Sequence, residues 1–254
     1  MVVVEIDFHA AQPHTKKEHL VEAIECLLHA LRMGGKIIGQ EYPLASVPTG
    51  YRTYLCAPEE TALAQAPTIY EKNFSAALKN LGIEWSWKII GHDSSSAPLC
   101  NCQKVHAYFL YTNYLSLESP LRCGDCFGSI PLYKIPTTKD DEYVDVMTWE
   151  SDYRACDTLQ MNCSTGERFA LKELSQANSS LSKRGIDICR RITTLTTVPT
   201  YYYLLRSSGR SKKAELQRKC PCCNENWLLK EPLHGLFDFQ CNSCRLLSNV
   251  TWSL

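Results

Sequence analysis

Cys220-Pro221-Cys222-Cys223, followed after seventeen residues by Cys241-Asn242-Ser243-Cys244, decides the reading of this chain. A Cys-x-x-Cys turn aims two sulfurs at one point. Two such turns joined by a β-hairpin complete the tetrahedral thiolate shell that Zn²⁺ prefers. The intervening residues have hairpin character. Trp227-Leu228-Leu229 is apolar, Pro232 and Gly235 punctuate a turn, and Phe237-Asp238-Phe239 alternates with period two. Leu246-Leu247 and Val250-Thr251-Trp252 supply a third strand. Residues 218–254 therefore read as a zinc ribbon with Cys220, Cys223, Cys241 and Cys244 as ligands. Cys222 is the alternative to Cys223, in a tighter Cys-x-Cys turn. Cys223 is favoured by the usual spacing, and Asn224 behind it tolerates a left-handed backbone. A closed four-cysteine shell has no open coordination position, so the metal is structural.

A second constellation lies in the middle of the chain. Cys100-Asn101-Cys102 precedes Cys123-Gly124-Asp125-Cys126-Phe127-Gly128 by twenty residues. The second pair has glycines that permit a tight turn. The first pair is one residue shorter than usual. Cys100, Cys102, Cys123 and Cys126 are read as ligands of a second structural zinc, with a Cys₃His variant through His106 as the alternative. His106 to Leu115 and Ile130 to Ile135 are its strand candidates. A redox role for Cys123 and Cys126 would want the pair at a helix start, whereas Gly128 to Pro136 reads as extended.

The N-terminal third alternates strand and helix signals. Residues 2–8 form a β-branched run. Thr15 with Glu18 makes a capping box, and Leu20, Ile24, Leu27, Leu28 and Leu31 follow at helical spacing up to Gly34-Gly35. Strands are expected at Ile37 to Tyr42, Tyr51 to Cys56 and Glu84 to Ile90. A helix is expected from Thr68 to Leu81, with Ile69, Phe74, Ala77, Leu78 and Leu81 inward. The order βαββαβ predicts a ferredoxin-like domain. Helices are expected around Ser151 to Gln160, Glu167 to Ala177 and Ser182 to Thr194, then a strand at Tyr201 to Leu205. The fold class is thus α+β, with four segments. They are a ferredoxin-like domain over 1–93, a cysteine-rich zinc module over 94–140, a mainly helical segment over 141–205, and a basic linker with the ribbon over 206–254.

The chain has 254 residues, 14 cysteines and no formal net charge. No signal peptide opens it and no apolar run reaches membrane-spanning length, which points to the cytoplasm and away from a membrane. Cysteines paired at metal spacing in such a chain indicate reduced thiols and metal rather than disulfides. Charge neutrality hides one basic region. Residues 183–219 hold 10 Lys/Arg against 2 Asp/Glu. Lys183 and Arg190, like Arg184 and Arg191, are seven apart and share a helix face. Arg206, Arg210, Lys212, Lys213, Arg218 and Lys219 continue the strip. Phosphate contacts from Lys183, Arg184, Arg190, Arg191, Arg210, Lys212, Lys213, Arg218 and Lys219 would hold a polyanion. The bland alternative is a solvated helix face and a tether. The Tyr201–Tyr203 run could stack on bases but suits a core better.

No phosphate-binding loop, dinucleotide fingerprint, nucleophile elbow or metalloprotease motif occurs. His9, His14, His19, His29, His92 and His234 are scattered, and Cys26, Cys56, Cys156, Cys163 and Cys189 have no partner at metal spacing. The chain resembles a family of uncharacterised bacterial proteins described as zinc-ribbon-containing and as candidate nucleic-acid binders. The likeness is carried by Leu121-Arg122-Cys123-Gly124-Asp125-Cys126-Phe127-Gly128 with Pro131-Leu132-Tyr133, by Pro199-Thr200-Tyr201-Tyr202-Tyr203-Leu204, and by Phe237-Asp238-Phe239-Gln240-Cys241 through Cys244-Arg245-Leu246-Leu247-Ser248-Asn249. It implies a zinc ribbon and a nucleic-acid role. Cys222 and Asn224 depart from the commonest Cys-Pro-x-Cys-Gly form. The expected function is a non-enzymatic, two-zinc protein that binds nucleic acid or a nucleoprotein. The runner-up is a protein-interaction module, such as an inhibitor or immunity protein for a bacterial toxin, using the acidic, aromatic stretch Asp140 to Trp149. An enzyme built on the N-terminal domain is third, since that fold by itself carries no activity.

Overall fold

The computed structural model describes residues 1–10, 17–137 and 142–251. Thr15 of the expected capping box, Asp140 and Asp141 of the acidic stretch, and Trp252 lie outside them. The chain divides into two compact units. One is formed by residues 1–99, 117–119 and 131–144, the other by 100–116, 120–130 and 145–254.

In the first unit the order is β1 (Val2–Ala10), α1 (Lys17–Met33), β2 (Ala45–Val47), β3 (Gly50–Ala57), α2 (Ile69–Asn80) and β4 (Ile83–His92). The sheet order is β2-β3-β1-β4, and every neighbouring pair is antiparallel. Strand periodicity sorts β1 into two faces. Val2, Val4, Ile6 and Phe8 are buried in one core cluster with Leu20, Ile24, Leu27, Leu28 and Leu31 of α1. On the other face Glu5 is held by Lys88 and Arg52, and Asp7 pairs with Arg52 at 2.6 Å. That guanidinium hydrogen bond holds the Asp7 carboxyl below its usual range.

Two expectations shift here. Ile37 to Tyr42 forms no strand: only Ile38 bridges Cys56, and Gly39 then turns the chain with φ 107°. The pairing segment is Ala45–Val47 instead. In the helix expected from Thr68 to Leu81, Leu78 is buried and Phe74 packs on the core, but Ala77 is exposed, and Ile69 is 52% and Leu81 38% exposed. The buried stripe runs through Glu71 and Leu78, and Ile69 falls off it by about two helical positions. Glu71 is inside because it meets Lys36, as argued below.

The second unit holds β5 (Tyr108–Leu110), β6 (Leu121–Cys123), α3 (Val144–Asn162, from its second residue), α4 (Glu167–Ser175), α5 (Ser180–Thr196), β7 (Thr200–Leu204), α6 (Lys212–Leu216), β8 (Leu228–Leu233), β9 (Phe237–Cys241) and β10 (Leu246–Ser248). Its six strands form one mixed sheet in the order β6-β5-β7-β10-β9-β8. β7 lies parallel to both β5 and β10. Strands from the central cysteine segment, the helical segment and the C-terminal segment are therefore hydrogen-bonded into one surface. Ile130 to Ile135, expected as a strand, forms none: only Ile130 belongs to this unit, and Leu132–Lys134, assigned to the first unit, is a 3₁₀ turn. Pro131 and Pro136 flank that turn and cannot donate to a ladder.

All of β7 is buried, as its apolar and aromatic run requires. α5 packs closely on it because Gly185 has no side chain. A Cβ at Gly185 would lie 2.1 Å from a Tyr202 ring carbon and 2.8 Å from Trp149 Nε1. Both rings are fully buried and cannot withdraw. Gly185→Ala gains helix propensity of about 1 kcal/mol, but the overlap outweighs it. The expected result is a net loss of roughly 1–3 kcal/mol, read by urea unfolding. An unchanged or raised midpoint would contradict this packing.

Candidate metal centres

Cys220, Cys223, Cys241 and Cys244 converge, with their sulfurs all within 4.8 Å of one another. β9 ends at Cys241 and β10 begins just after Cys244, so the hairpin delivers one pair. Cys220 and Cys223 lie in the turn before β8. The Sγ atoms of Cys223 and Cys241 are 3.6 Å apart. A tetrahedron with metal–sulfur bonds of about 2.3 Å has edges of about 3.7 Å, so this spacing fits a thiolate-bound ion of zinc-like size. It is far too long for a disulfide. Asn224, behind the first pair, has φ 60°, and Arg245, behind the second, has φ 55°. Each turn therefore closes through a left-handed residue. The Cys244 N–H donates to Cys241 Sγ at 3.4 Å. The cluster contains Cys223, whereas Cys222 is exposed and outside it.

Cys100, Cys102, Cys123 and Cys126 form a second set of the same compactness, with Cys102 and Cys123 sulfurs 3.9 Å apart. The short Cys-x-Cys spacing is accommodated because Cys100 N–H bonds to Ser129 O, beside the second turn. Backbone N–H groups of Asp125 and Gly128 donate to Cys123 and Cys126 sulfurs. Phe127 repeats the left-handed closure at φ 60°. His106 is not in the set. Its ring and its N–H engage Asp125 at 3.2 and 2.8 Å, which braces the turn. Burial pushes the Cys123 and Cys241 thiols up to about 11. A bound cation would favour the thiolate form of both.

The C-terminal hairpin reaches the central cysteine turn through a residue the sequence gives no reason to choose. His234, in the β8–β9 turn, meets Gly124 O at 2.8 Å through Nε2, and its ring stacks on Phe127 at 5.2 Å. Phe237 then packs edge-on against Phe109, Tyr111 and Phe127. These contacts span more than one hundred residues of sequence, so no local pattern announces them.

The basic residues divide into two groups. Arg184 pairs with Asp152, and Arg191 with Asp145 and Asp187. Arg206 pairs with buried Glu215. Arg218 is turned inward over Phe239 and Trp227, at 4.3 and 5.1 Å from the ring centroids, and donates to Ser248 and Asn249. Burial pulls it down to about 10, with Glu215 opposing. That guanidinium is committed to the fold. By contrast, Lys183, Arg190, Arg210, Lys212, Lys213 and Lys219 are exposed and make no salt bridge to a described residue. Tyr201, Tyr202 and Tyr203 are buried, with hydroxyls bonded to Asn242, Ser182 and Asn249, and so pack rather than stack on bases. Tyr143 and Trp149 of the acidic stretch are buried as well.

The chain aligns with a protein of Haemophilus influenzae named only as uncharacterized. Identity is 35% over 249 residues, which spans 94% of this chain and 95% of that protein. The chain belongs to that protein's family. A second uncharacterized Haemophilus influenzae protein is 38% identical over 167 residues, covering 66% of this chain and 82% of its own length. Three family models, each described as a domain of unknown function, match this family member: DUF8589 over residues 1–90, DUF2310 over 102–205 and DUF8594 over 209–254. The second and third of these contain the two cysteine sets, apart from Cys100. Among the described residues, no helix is long and apolar enough to cross a membrane.

Proposed function

We propose that this protein binds nucleic acid or a nucleoprotein, with two structural zinc ions holding its second unit together. Four thiolates per site complete a zinc shell and leave no position for a substrate, which supports a structural rather than a catalytic metal. The strand order and antiparallel pairing of β1 to β4 support a ferredoxin-like reading of the first unit. The β8-β9-β10 arrangement with its two cysteine turns supports a zinc-ribbon reading of the C-terminus. Eight cysteines gathered in two metal-spaced sets favour a reducing compartment, the cytoplasm.

One observation carries the nucleic-acid reading. Lys183, Arg190, Arg210, Lys212, Lys213 and Lys219 have no acidic partner among the described residues, although the chain as a whole is neutral. Uncompensated surface cations are what phosphate contacts and counterion release require. The test is fluorescence anisotropy of labelled single- and double-stranded DNA and RNA with zinc-loaded protein, from low to physiological salt. Affinity should fall linearly with log salt. Lys212→Ala with Lys213→Ala should flatten the slope by roughly 0.7–0.9 for each phosphate no longer neutralised. Absence of binding at low salt would overturn the reading.

A further inference from the structure

A cavity of about 480 Å³ opens in the second unit between α5 and the C-terminal cysteine turn. Its α5 side carries Ile186, Arg190 and Thr194, and its other side carries Cys222, Ser243 and Arg245. None of the lining residues is acidic. Two guanidinium groups on one cavity repel each other unless an anion lies between them.

The two arginines differ in preparation. Arg245 sits at the left-handed position that closes the Cys241–Cys244 turn. Its guanidinium lies 5.2 Å from the Tyr201 ring centroid, and Nη1 donates to the Tyr201 hydroxyl at 2.8 Å. That hydroxyl donates in turn to Asn242 Oδ1. One edge of Arg245 is thereby fixed, and its remaining donors have no described partner. Arg190 is exposed and forms no salt bridge to a described residue. Cys244 of the C-terminal cysteine set also lines the cavity, and as a thiolate it could attract both arginines. Yet neither guanidinium hydrogen-bonds a cysteine sulfur among the described residues.

A lone phosphate would leave most of this volume empty, whereas 300–1,000 Å³ suits a small organic ligand. Ile186, with the methyl of Thr194, offers an apolar wall. The Thr194 hydroxyl is already committed to Arg190 O. We propose that this cavity is a nucleoside-phosphate site, the phosphate between Arg190 and Arg245 and the base against Ile186 and Thr194. The ligand is either a free nucleotide or one unit of a single strand, and for the strand the proposal rests on the nucleic-acid reading above.

The experiment uses the zinc-loaded full chain. Binding of AMP, UMP, inorganic phosphate and nine-nucleotide single strands of DNA and RNA is measured by calorimetry, with zinc content followed in parallel. Arg190→Ala removes one charge, and Thr194→Trp fills the cavity from an exposed position without altering charge. Both should weaken binding roughly ten- to a hundredfold at unchanged zinc content. Nucleotide binding that survives both variants would overturn the cavity site, and oligonucleotide binding that survives both would overturn the strand as its ligand and leave the basic strip as the oligonucleotide binder. Nucleotide binding lost in both variants, with no oligonucleotide binding in the parent, would support the site and count against the nucleic-acid reading. Inorganic phosphate binding as tightly as AMP and UMP would overturn the nucleoside assignment. Loss of zinc in Arg190→Ala would overturn it too, by giving that arginine to the metal shell.

Discussion

Cys241→Ser is expected to unfold the C-terminal strands and to lower the stability of the whole second unit. Structural zinc is worth roughly 10–16 kcal/mol in small finger peptides, which matches or exceeds the total stability of about 5–15 kcal/mol of a typical domain. The segment from Cys220 onward is short, and its interior is a handful of side chains, including Trp227, Phe237, Phe239, Leu246 and Leu247. A segment of that size depends on metal or on its neighbours. Here it has both. β10 pairs with β7, and Phe237 and His234 reach the central cysteine turn. Loss of the C-terminal ion should therefore loosen the central site as well, so that a chelator strips its metal faster than in the parent protein. Circular dichroism during thermal unfolding should show a large drop in midpoint for Cys241→Ser. Cys222→Ser, one residue from the ligand set, should leave the midpoint unchanged. Equal effects of the two changes would contradict the ligand assignment.

Lys36→Ala is the second large effect, and it acts in the first unit. Lys36 is 2% exposed, and its three N–H donors are all used, on Gln65 O, Ala66 O and Glu71 Oε2. Glu71 is equally enclosed, and Thr68 caps its helix by accepting the Glu71 N–H. The lysine thus ties the end of α1 to the start of α2. Its removal strands a buried carboxylate and two backbone carbonyls, at a cost of roughly 3–5 kcal/mol. Replacing both partners by apolar residues, Lys36→Met with Glu71→Leu, leaves no buried charge and should cost far less than Lys36→Ala alone. The readout is a double-mutant cycle by urea unfolding. Additive losses would show that the two charges do not depend on each other.

The two cysteine clusters were legible because their information is local. The two cysteine turns are written into a few consecutive residues, and Asn224 marked a left-handed position that the fold uses. Helices α3, α4 and α5 were also expected from the sequence, with ends displaced by up to seven residues. Pairing across long separations was not legible. Nothing in Tyr108–Leu110 or Leu246–Ser248 announces that both flank β7, because three-residue strands carry no period of their own. Arg218 reads as one more cation in a basic run, and only the structure shows Phe239 and Trp227 beneath it. Lys36 reads as a polar residue between Gly35 and a strand, and its burial depends on Glu71, thirty-five residues away.

The most direct test of the central claim is native mass spectrometry of the full chain, purified without added metal or chelator. Two zinc ions per chain are expected in the parent protein and in Cys222→Ser, and one ion in each of Cys123→Ser and Cys241→Ser. A parent protein carrying no zinc, or a Cys241→Ser protein still carrying two ions, would contradict the two-site account.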